Sequence, residues 1–401
     1  MTAPVRPGSR RLMREINEAL VLRTVRERGP ISRTDIAQHA RLSPATVSDI
    51  SNLLIEQNLV YERSEGPSTG GRRPVLLDVN DDAGLVVGVK VTQSHLVVAL
   101  TNLGATLVEQ ETVALGHDPA PEPVVAALAD AVRRMQERHP GRRVFGIGLG
   151  LAGTIDRDAG VCTFSPLLHW RNVPVRALVQ ARLELPVVVE NDVNTLTLAE
   201  QWFGNGLGVQ DFVVVTVGRG VGMGMVLGGR LYRGGLGGGG EIGHLTMEPG
   251  GPRCECGKYG CLEALVAEPA LSAAIEERLG RALPLAEAAA LAERGDQRAQ
   301  EVFTRAGRTL GTAIAHVVNV LNPPLIILGG EGLGFLPPMS AALRETLSTE
   351  SFPGFSERLQ LVVEPWGDDA WARGAAGLML EEAFSPTLYS HHQAAGGLSS
   401  R

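Results

Sequence analysis

The feature that most constrains the fold is a regular alternation of strand-like and helix-like segments, which begins near Asp81. Short apolar runs typical of buried strands occur at 85–91, 96–101, 144–151, 187–190, 212–217, 223–227 and 325–328. Longer segments with helical spacing lie between them, at 123–138 and 299–321. This alternation predicts an α/β fold of stacked sheets and helices. A chain of 401 residues exceeds what one hydrophobic core usually serves, so more than one domain is expected.

The first eighty residues show a different pattern, that of a small helical domain. Apolar residues at helical spacing predict a first helix at 17–28. A second helix is expected from Ser32, where Asp35 completes a capping box. A third is expected from Ser43, with Pro44 at the first helical position, where its missing N–H costs nothing. Three short helices joined by tight turns follow from these signals.

The third helix has the pattern of a DNA-reading helix. Val47, Ile50 and Leu54 form its inward stripe, and small or hydroxylated side chains occupy its outward face. Such side chains at the start of a helix suit entry into a major groove. The segment resembles a winged helix-turn-helix; a small helical interaction module is the alternative. The candidate DNA-contact residues in the helices are Arg33, Ser43, Ala45, Thr46, Ser48 and Asp49.

A glycine-rich loop follows a strand-like segment at 59–63 and suggests the wing. It contains Arg72 and Arg73, whose guanidinium groups suit phosphates or a narrow minor groove. A solvated linker is the alternative. The chain has a net charge of −7, yet residues 1–75 contain twelve arginines and eight acidic residues. The basic charge is therefore concentrated where DNA contact is predicted.

One histidine and three thiols crowd into a short segment of the second half of the chain. His244 is followed by Cys254, Cys256 and Cys261, whereas the fourth cysteine, Cys162, stands alone. Three thiolates and an imidazole complete a tetrahedral zinc site and leave no position for water, which predicts structural Zn²⁺. Buried cysteines or a disulfide are the alternatives. No secretory segment is recognised at the start, so a cytoplasmic location is expected.

Several motifs together resemble the ROK family of repressors, open reading frames and sugar kinases. They are Glu190–Asn194, Val217–Gly222, Gly240–His244, Cys254–Glu263 and Asn322–Gly330. With the helix-turn-helix and the Ser68–Arg73 segment, the chain is similar to the xylose-repressor and N-acetylglucosamine-repressor types. The resemblance covers nearly the whole chain. It implies an actin-like, ribonuclease-H-like ATPase fold of two lobes, with a sugar in the cleft between them.

The resemblance also implies roles for particular residues. His244, Cys254, Cys256 and Cys261 match the zinc ligands of the family. The residues that match its sugar-binding positions are Asn191, Asp192, Glu241, His244 and Glu263. In the kinases the position of Asp192 is also that of the base that deprotonates the attacking hydroxyl. Carboxylates and an amide suit a sugar, because they bind its hydroxyls with directional hydrogen bonds.

The phosphate-binding motifs depart from the kinase pattern. Where the kinases have Asp-x-Gly-Gly-Thr, this chain has Lys90, Thr92 and Gln93, and Arg219 replaces a threonine in the second phosphate loop. An acid has become a base and side chains replace glycines, so no catalytic residue and no kinase activity are expected. Lys90 or Arg219 could instead neutralise an anionic ligand, which leaves a sugar phosphate open as effector.

These patterns predict a sugar-responsive transcriptional regulator, most simply a repressor of carbohydrate genes. Its partners would be a palindromic operator in double-stranded DNA and a sugar or sugar derivative, with the chain acting as a homodimer or tetramer and with no membrane contact. The alternatives are a sugar kinase with a DNA-binding head and a regulator that no longer senses sugar.

The expected domains are 1–80, the helix-turn-helix with wing and linker, and 81–385, the kinase-like part. The latter divides into a small lobe at about 81–195 plus the C-terminal helix and a large lobe at about 196–370; 386–401 is expected to be a disordered tail.

Overall fold

The structure, a computed structural model, describes residues 10–65, 74–116 and 119–384. The proposed wing residues Arg72 and Arg73 and the proposed tail at 386–401 lie outside these residues. The N-terminal part up to residue 80 is called the head below. Its elements are α1 (Arg10–Arg28), β1 (Ile31–Ser32), α2 (Arg33–Ala40), α3 (Pro44–Glu56), β2 (Val60–Glu65) and β3 (Val75–Val79). The three strands form one sheet in the order β1-β3-β2.

The local signals for the head helices are confirmed, with one correction. The Ser32 hydroxyl accepts a hydrogen bond from the backbone N–H of Asp35 at 3.2 Å and donates to its carboxylate at 2.7 Å. The Ser43 hydroxyl accepts from the N–H of Thr46 at 3.1 Å and so caps α3. Helix α1, however, begins at Arg10, seven residues before the predicted start. Its first turn is rich in arginine and lacks the apolar spacing on which that prediction rested.

The first lobe (residues 85–191) is built on a five-stranded sheet. Its elements are β4 (Leu85–Val91), β5 (His95–Asn102), β6 (Leu107–Ala114), α4 (Pro121–Arg138), β7 (Val144–Leu151), β8 (Thr154–Asp156), β9 (Val161–Ser165), β10 (Trp170–Val173), α5 (Val175–Leu183) and β11 (Val187–Asn191). The main sheet has the order β11-β7-β4-β5-β6, and β8, β9 and β10 form a small separate sheet. Helix α6 (Asp192–Phe203) follows directly and leads into the second lobe.

The second lobe (residues 212–363) repeats this arrangement. Its elements are β12 (Phe212–Val217), β13 (Val221–Leu227), β14 (Arg230–Leu231), α7 (Glu263–Val266), α8 (Glu268–Leu279), α9 (Leu285–Glu293), α10 (Gln297–Leu321), β15 (Leu325–Gly329), α11 (Ser340–Glu350), α12 (Phe355–Arg358) and β16 (Gln360–Val363). The sheet order is β14-β13-β12-β15-β16. In both lobes three antiparallel strands are followed by two strands parallel to the first. The chain therefore contains the same strand order twice.

Two helices lie between the two sheets and join them. Helix α13 (Asp368–Phe384) packs on the first sheet so closely that a Cβ on Gly88 would lie 1.8 Å from the carbonyl oxygen of Ala372. A Cβ on Gly148 would lie 1.7 Å from that of Ala375. Gly374 of α13 faces α6 in the same way, since its Cβ would lie 2.1 Å from the Thr195 carbonyl oxygen. Glycine is required at these contacts because backbone approaches backbone there.

The apolar core of the head continues into the first lobe. Val21, Leu22 and Val25 of α1 belong to the same buried cluster as Ala376 and Met379 of α13. The head is therefore packed against the kinase-like part and is not merely tethered to it. Along the described ranges of the chain, no helix combines the length and apolarity needed to cross a membrane.

The two glycines of α13 allow a matched test of this packing. We expect Gly374→Ala to lower the free energy of unfolding by about 1–3 kcal/mol, because its methyl group has no room against α6. A Cβ on Gly377 meets nothing within 4 Å, so Gly377→Ala should be neutral or stabilise by about 0.5–1 kcal/mol through its helix propensity. Thermal unfolding followed by circular dichroism measures both. Equal Tm values for the two variants would contradict the close α6–α13 packing.

Candidate functional site

His244 and the three nearby cysteines form one cluster with the geometry of a tetrahedral metal site. Their four ligand atoms all lie within 4.8 Å of one another. The Cys256 and Cys261 sulfurs are 3.8 Å apart, and the Cys254 sulfur lies 3.6 Å from Nδ1 of His244. A tetrahedral ion with bonds of about 2.3 Å to sulfur and 2.0–2.1 Å to nitrogen holds its ligand atoms about 3.8 and 3.6 Å apart. Bonded sulfurs would be about 2.05 Å apart, so the cysteines do not form a disulfide.

Tight turns bring these ligands together. The N–H of Cys254 donates to the carbonyl of Lys258 at 2.8 Å and closes a loop that presents two of the thiols. A bridge between Thr246 and Cys261 joins this loop to the segment that follows His244. Gly260 has φ +69°, and a Cβ there would lie 1.6 Å from the carbonyl oxygen of Glu248, so only glycine fits. The backbone thus holds the cluster in shape.

Burial alone disfavours free thiolates in this chain. It raises the pKa of Cys254 to about 12, and it raises the pKa of Cys261 above its usual value. A bound cation is what stabilises the thiolate form in such surroundings. The isolated Cys162 is fully buried, with its pKa raised to about 11, and lies in the apolar core of the first lobe. It is a packing residue.

Three of the five proposed sugar-binding residues are gathered beside the metal cluster. Nε2 of His244 lies 3.8 Å from a carboxylate oxygen of Glu241, on the opposite side of the ring from Nδ1. Glu263 accepts a hydrogen bond from the N–H of Val221 at 3.1 Å, and its other oxygen lies 3.7 Å from the Cys254 sulfur. Burial raises the pKa of Glu241. His244 thus faces the thiols with one nitrogen and a carboxylate with the other.

Asn191 and Asp192 lie nearby at the N-terminus of α6. Asn191 caps this helix through its side-chain oxygen, which accepts from the N–H of Asn194 at 3.1 Å, and its amide donates to the Gly153 carbonyl at 3.1 Å. The helix rests on β13, where a Cβ on Gly222 would lie 2.6 Å from Val193. Gly222 follows Val221, the residue that holds Glu263. The start of β13 therefore lies between the two groups of predicted residues.

Asp192 is in an electrostatically unfavourable position. Burial raises the pKa of its carboxyl to about 6, although the ammonium of Lys90 opposes the shift. Lys90 is itself buried, lies 2.5 Å from the carboxylate of Glu331 and 4.4 Å above the Trp371 ring. The pair with Glu331 joins β4 of the first lobe to the turn after β15 of the second. The sequence identified Lys90 as a residue of interest but gave no sign of its partner Glu331.

Both segments that bind phosphate in kinases are closed by internal contacts. In the hairpin between β4 and β5, the Thr92 hydroxyl accepts from the N–H groups of Ser94 at 3.3 Å and His95 at 3.0 Å. Arg219, in the second loop, donates to the carboxylate of Glu255 at 2.7 Å. The backbone N–H and guanidinium donors that would face a phosphate are thus already hydrogen-bonded within the protein. The expectation that Lys90 or Arg219 neutralises an anionic ligand loses support, since each has an acidic partner.

A buried carboxylate that the sequence reasoning did not single out fixes the start of α6. Glu190, 1% exposed, accepts from the N–H of Asn191 and the amide of Asn194, both at 3.0 Å. Its other oxygen lies 2.5 Å from Nε of Arg233, which also reaches Glu381 of α13 at 3.5 Å. Burial by itself would lower the pKa of Arg233, but the two carboxylates raise it. The sequence did contain a signal for this role, because Glu190 is a charged residue at the end of an otherwise apolar, strand-like run.

A groove of about 630 Å³ lies on the far side of Glu263, between the metal loop and helices α8 and α10. Cys254 and Glu263 line this groove, whereas Asp192 and Glu241 do not. Two pairs form between its rim charges, Arg219 with Glu255 at 2.7 Å and Arg278 with Glu301 at 3.1 Å. The groove therefore reaches one of the proposed sugar-binding residues, Glu263, but not Asp192 or Glu241.

The head places the predicted DNA-contact residues unequally. Ala45 and Asp49 are exposed on α3, and Thr46 and Ser48 are partly exposed, while Val47, Ile50 and Leu54 are buried as predicted. The Ser43 hydroxyl is occupied in capping and lies 2.8 Å from that of Thr46.

Two arginines near α3 differ in their partners. Arg33 donates to Glu62 at 3.0 Å and to Asn52 at 3.4 Å, so its charge is partly neutralised. Sequence reasoning missed Arg41, which is exposed in the turn before α3 and has a left-handed backbone with φ 53°. Within the described parts of the chain it forms no ion pair, so its guanidinium remains accessible to a phosphate.

The raised pKa of Asp192 gives a stability test. The folded-state pKa of about 6 exceeds the unfolded value of 3.8. The contribution of this carboxyl group to the free energy of unfolding is therefore complete below about pH 4 and is lost as the pH rises through 6. We expect Asp192→Asn to match the parent at pH 4 and to be more stable at pH 7.5, by on the order of 1–3 kcal/mol. Tm measured from pH 4 to 8 checks this. A constant difference across that range would contradict it, and Asp130→Asn, at an exposed pair, is the control.

Comparison with known proteins agrees with this architecture. The ROK family model matches residues 86–382, and the MarR family model matches residues 15–68. The xylose repressor of Caldicellulosiruptor bescii is 31% identical over 96% of this chain and 100% of its own length. The DNA-binding transcriptional dual regulator NagC of Escherichia coli K12 is 31% identical over 96% and 97%. A solved ROK family transcriptional regulator, a homolog of E. coli MLC protein, superposes with a TM-score of 0.84 at 27% identity, covering 94% of this chain and 98% of its own. The chain belongs to the ROK family and has a MarR-type helix-turn-helix at its N-terminus.

Proposed function

We propose that the protein is a sugar-responsive transcriptional repressor whose ROK part binds a sugar and does not phosphorylate it. The observation that carries this proposal is that a DNA-reading head shares one continuous apolar core with a sugar-kinase-like body. The named repressors match both parts over nearly their full lengths. We place the domain boundary near residue 80, where the Asn80 N–H bonds the Leu59 carbonyl at 2.9 Å and ends the head.

The DNA site that we propose is formed by the first two turns of α3 and the turn before it. Ala45, Thr46, Ser48 and Asp49 would face the major groove, and Arg41 a backbone phosphate. Arg33 would act mainly by holding α2 to α3 and β2. A two-fold dimer would read two half-sites about 34 Å apart, or a multiple of that, on a palindromic operator.

The sugar site that we propose is formed by Asn191, Asp192, Glu241, His244 and Glu263. Their carboxylate oxygens, imidazole and amide offer several acceptors with a few donors, which matches a ring of hydroxyls. Hydrogen bonds from sugar hydroxyls to Asp192 would offset part of the burial cost that raises its pKa. The xylose repressor and an N-acetylglucosamine repressor of Escherichia coli O6:H1, both 31% identical to this chain, are named for different sugars, so the effector has to be found by experiment.

The absence of phosphoryl transfer is supported by three contacts. Thr92 occupies the N–H groups of its hairpin, Lys90 is paired with Glu331, and Arg219 is paired with Glu255. Phosphoryl transfer requires free backbone donors and a carboxylate for the metal ion near the phosphates. The kinase alternative would require these contacts to open.

We further propose that the His244–Cys261 cluster holds structural Zn²⁺. Four N and S ligands saturate a tetrahedral ion, and the interatomic distances of 3.6 and 3.8 Å fit one. The ion would fix His244 and, through Cys254, the neighbourhood of Glu263, so that these residues keep their positions in the pocket wall.

Metal content tests this assignment. We expect about one Zn²⁺ per chain by plasma mass spectrometry, and at most a small fraction of that in Cys256→Ser, with a lower Tm because metal binding stabilises the fold. The control is Cys162→Ala, which changes a buried thiol outside the cluster and should retain the metal. Metal-free parent protein whose Tm does not respond to added Zn²⁺ would disprove the site.

The function is tested with a DNA duplex that the protein itself selects from a random library. Fluorescence anisotropy gives the duplex Kd with and without xylose, glucose, N-acetylglucosamine and their phosphate esters. We expect one of these sugars to weaken duplex binding at least about tenfold. An effector acts only if it binds the DNA-bound and free states of the repressor with different affinity. No ATP-dependent phosphorylation of that sugar is expected.

Two variants separate the parts of the proposal. Ala45→Glu places a carboxylate at the exposed start of α3 and should abolish duplex binding while sugar still raises the Tm. Glu241→Ala should retain duplex binding and lose the sugar response. Sugar phosphorylation without any effect on the duplex would favour the kinase. No response to any sugar of the panel would favour a regulator that no longer senses sugar.

A further inference from the structure

Helix α6 has the proposed sugar pocket at one end and the head at the other. Its N-cap is Asn191 and its first residue is Asp192, and it ends at Phe203 after twelve residues, about 18 Å. Trp202 lies in its last turn. Because the two ends belong to one helix, a shift of the pocket end moves Trp202 as well.

The contact at the far end of α6 is a stacked arginine. The guanidinium carbon of Arg26, in the last turn of α1, lies 3.8 Å from the centroid of the Trp202 ring. This distance is typical of a strong cation–π contact, whose strength depends on the position of the ring under the cation. The contact crosses from the ROK part to the head, and it lies beside the apolar cluster that includes Val25 of α1 and Trp202.

Helix α6 is buried from Val193 to Glu200, and its polar side chains are bonded within the protein. The Thr195 hydroxyl donates to the Asp192 carbonyl at 2.6 Å, and the Thr197 hydroxyl donates to that of Val193 at 2.8 Å. Near the other end, Glu200 accepts from the Trp366 indole at 2.5 Å and from the N–H of Asn205 at 2.7 Å. A close-packed helix held in this way moves as a unit and does not absorb displacement internally.

We propose that α6 transmits the effector signal and that the Arg26–Trp202 contact is where the signal reaches the head. The inference rests on the proposed function, since it requires a sugar at Asp192 and DNA at α3. Sugar binding would move the N-terminus of α6 against β13, displace the Trp202 ring under Arg26, and change the orientation of α1 and the helices packed on it. The sugar-bound and sugar-free states would then differ in the Arg26–Trp202 contact, and coupling between two sites requires such a difference.

Other parts of the ROK domain also share an apolar cluster with the head. The turn at Leu103 and Ala105 and the middle of α13 share the apolar cluster with α1. Neither contains a proposed sugar-binding residue. Val188 of β11 also belongs to the cluster, but β11 ends at Asn191, where α6 begins, and α6 continues from there to Trp202, which contacts Arg26 of the head directly. This direct contact favours α6 as the route.

The test compares Arg26→Gln and Trp202→Phe with the parent, all as full-length chains. The quantity measured is the ratio of duplex Kd values with and without the active sugar of the panel described above. We expect this ratio to fall toward 1, by about 3- to 30-fold in Arg26→Gln and by less in Trp202→Phe, which keeps an aromatic ring. Sugar affinity of the free chain should stay within about twofold in both variants.

Linkage provides a second readout that a merely structural role would not change. In the parent, saturating duplex should weaken sugar binding by the same factor by which sugar weakens duplex binding. In Arg26→Gln, the effect of the duplex on sugar affinity should fall by the same factor as the effect of sugar on the duplex Kd. Arg171→Ala removes a similar contact, 4.4 Å from the Phe164 ring in the small sheet, and should behave as the parent.

The outcomes separate this inference from the proposed function. A parent-like ratio in both variants would overturn the role of the Arg26–Trp202 contact and leave the repressor proposal standing. A parent chain that binds no sugar, or whose duplex affinity ignores sugar, would overturn the proposed function and this inference with it. If Arg26→Gln does not fold, Trp202→Phe decides, because its smaller ring preserves the apolar packing.

Discussion

The buried carboxylate of Glu190 is the interaction on which the arrangement of lobes and pocket depends. It bonds the first turn of α6 through Asn191 and Asn194, and it pairs with Arg233 of the second lobe, which reaches Glu381 of α13. Removing one partner of a buried ion pair costs about 3–5 kcal/mol, because the remaining charge is left without compensation. The relative positions of the last strand of the first sheet, the start of α6 and helix α13 are therefore set together.

The pocket combines this fully compensated carboxylate with a poorly compensated one two residues later. Glu190 has a partner for each oxygen, whereas burial raises the pKa of Asp192 to about 6. The first carboxylate fixes the start of α6, and the second has its charged form disfavoured by burial. Perturbed carboxylates of this kind cluster at functional sites, since the protein accepts the cost for the sake of a ligand.

The sequence predicts some of these features well and others not at all, for physical reasons. Strands β4, β7 and β12 were predicted to the residue, because continuous apolar runs bounded by polar residues define them. Helix α6 was not predicted, since its β-branched residues, such as Val193 and Thr197, favour a strand and only tertiary packing makes it helical. The residues proposed to bind zinc and sugar were recognisable as motifs. The partner of Lys90, by contrast, is 241 residues away and has no local signal.

The pair between Lys90 and Glu331 links the proposed sugar site to the arrangement of the two lobes. Lys90 is only 5% exposed, but Glu331 is 52% exposed, so water screens the pair from one side. Half-exposed pairs contribute about 1 kcal/mol or less, far below the buried pair at Glu190. Lys90 also faces Asp192, so a sugar that reaches Asp192 alters the charge balance of this weak contact while the strong one at Glu190 stays intact. The weak pair at Lys90 can therefore open while α6 shifts against β13 as one rigid helix, and a ligand selects one arrangement to the extent that it binds the two with different affinity.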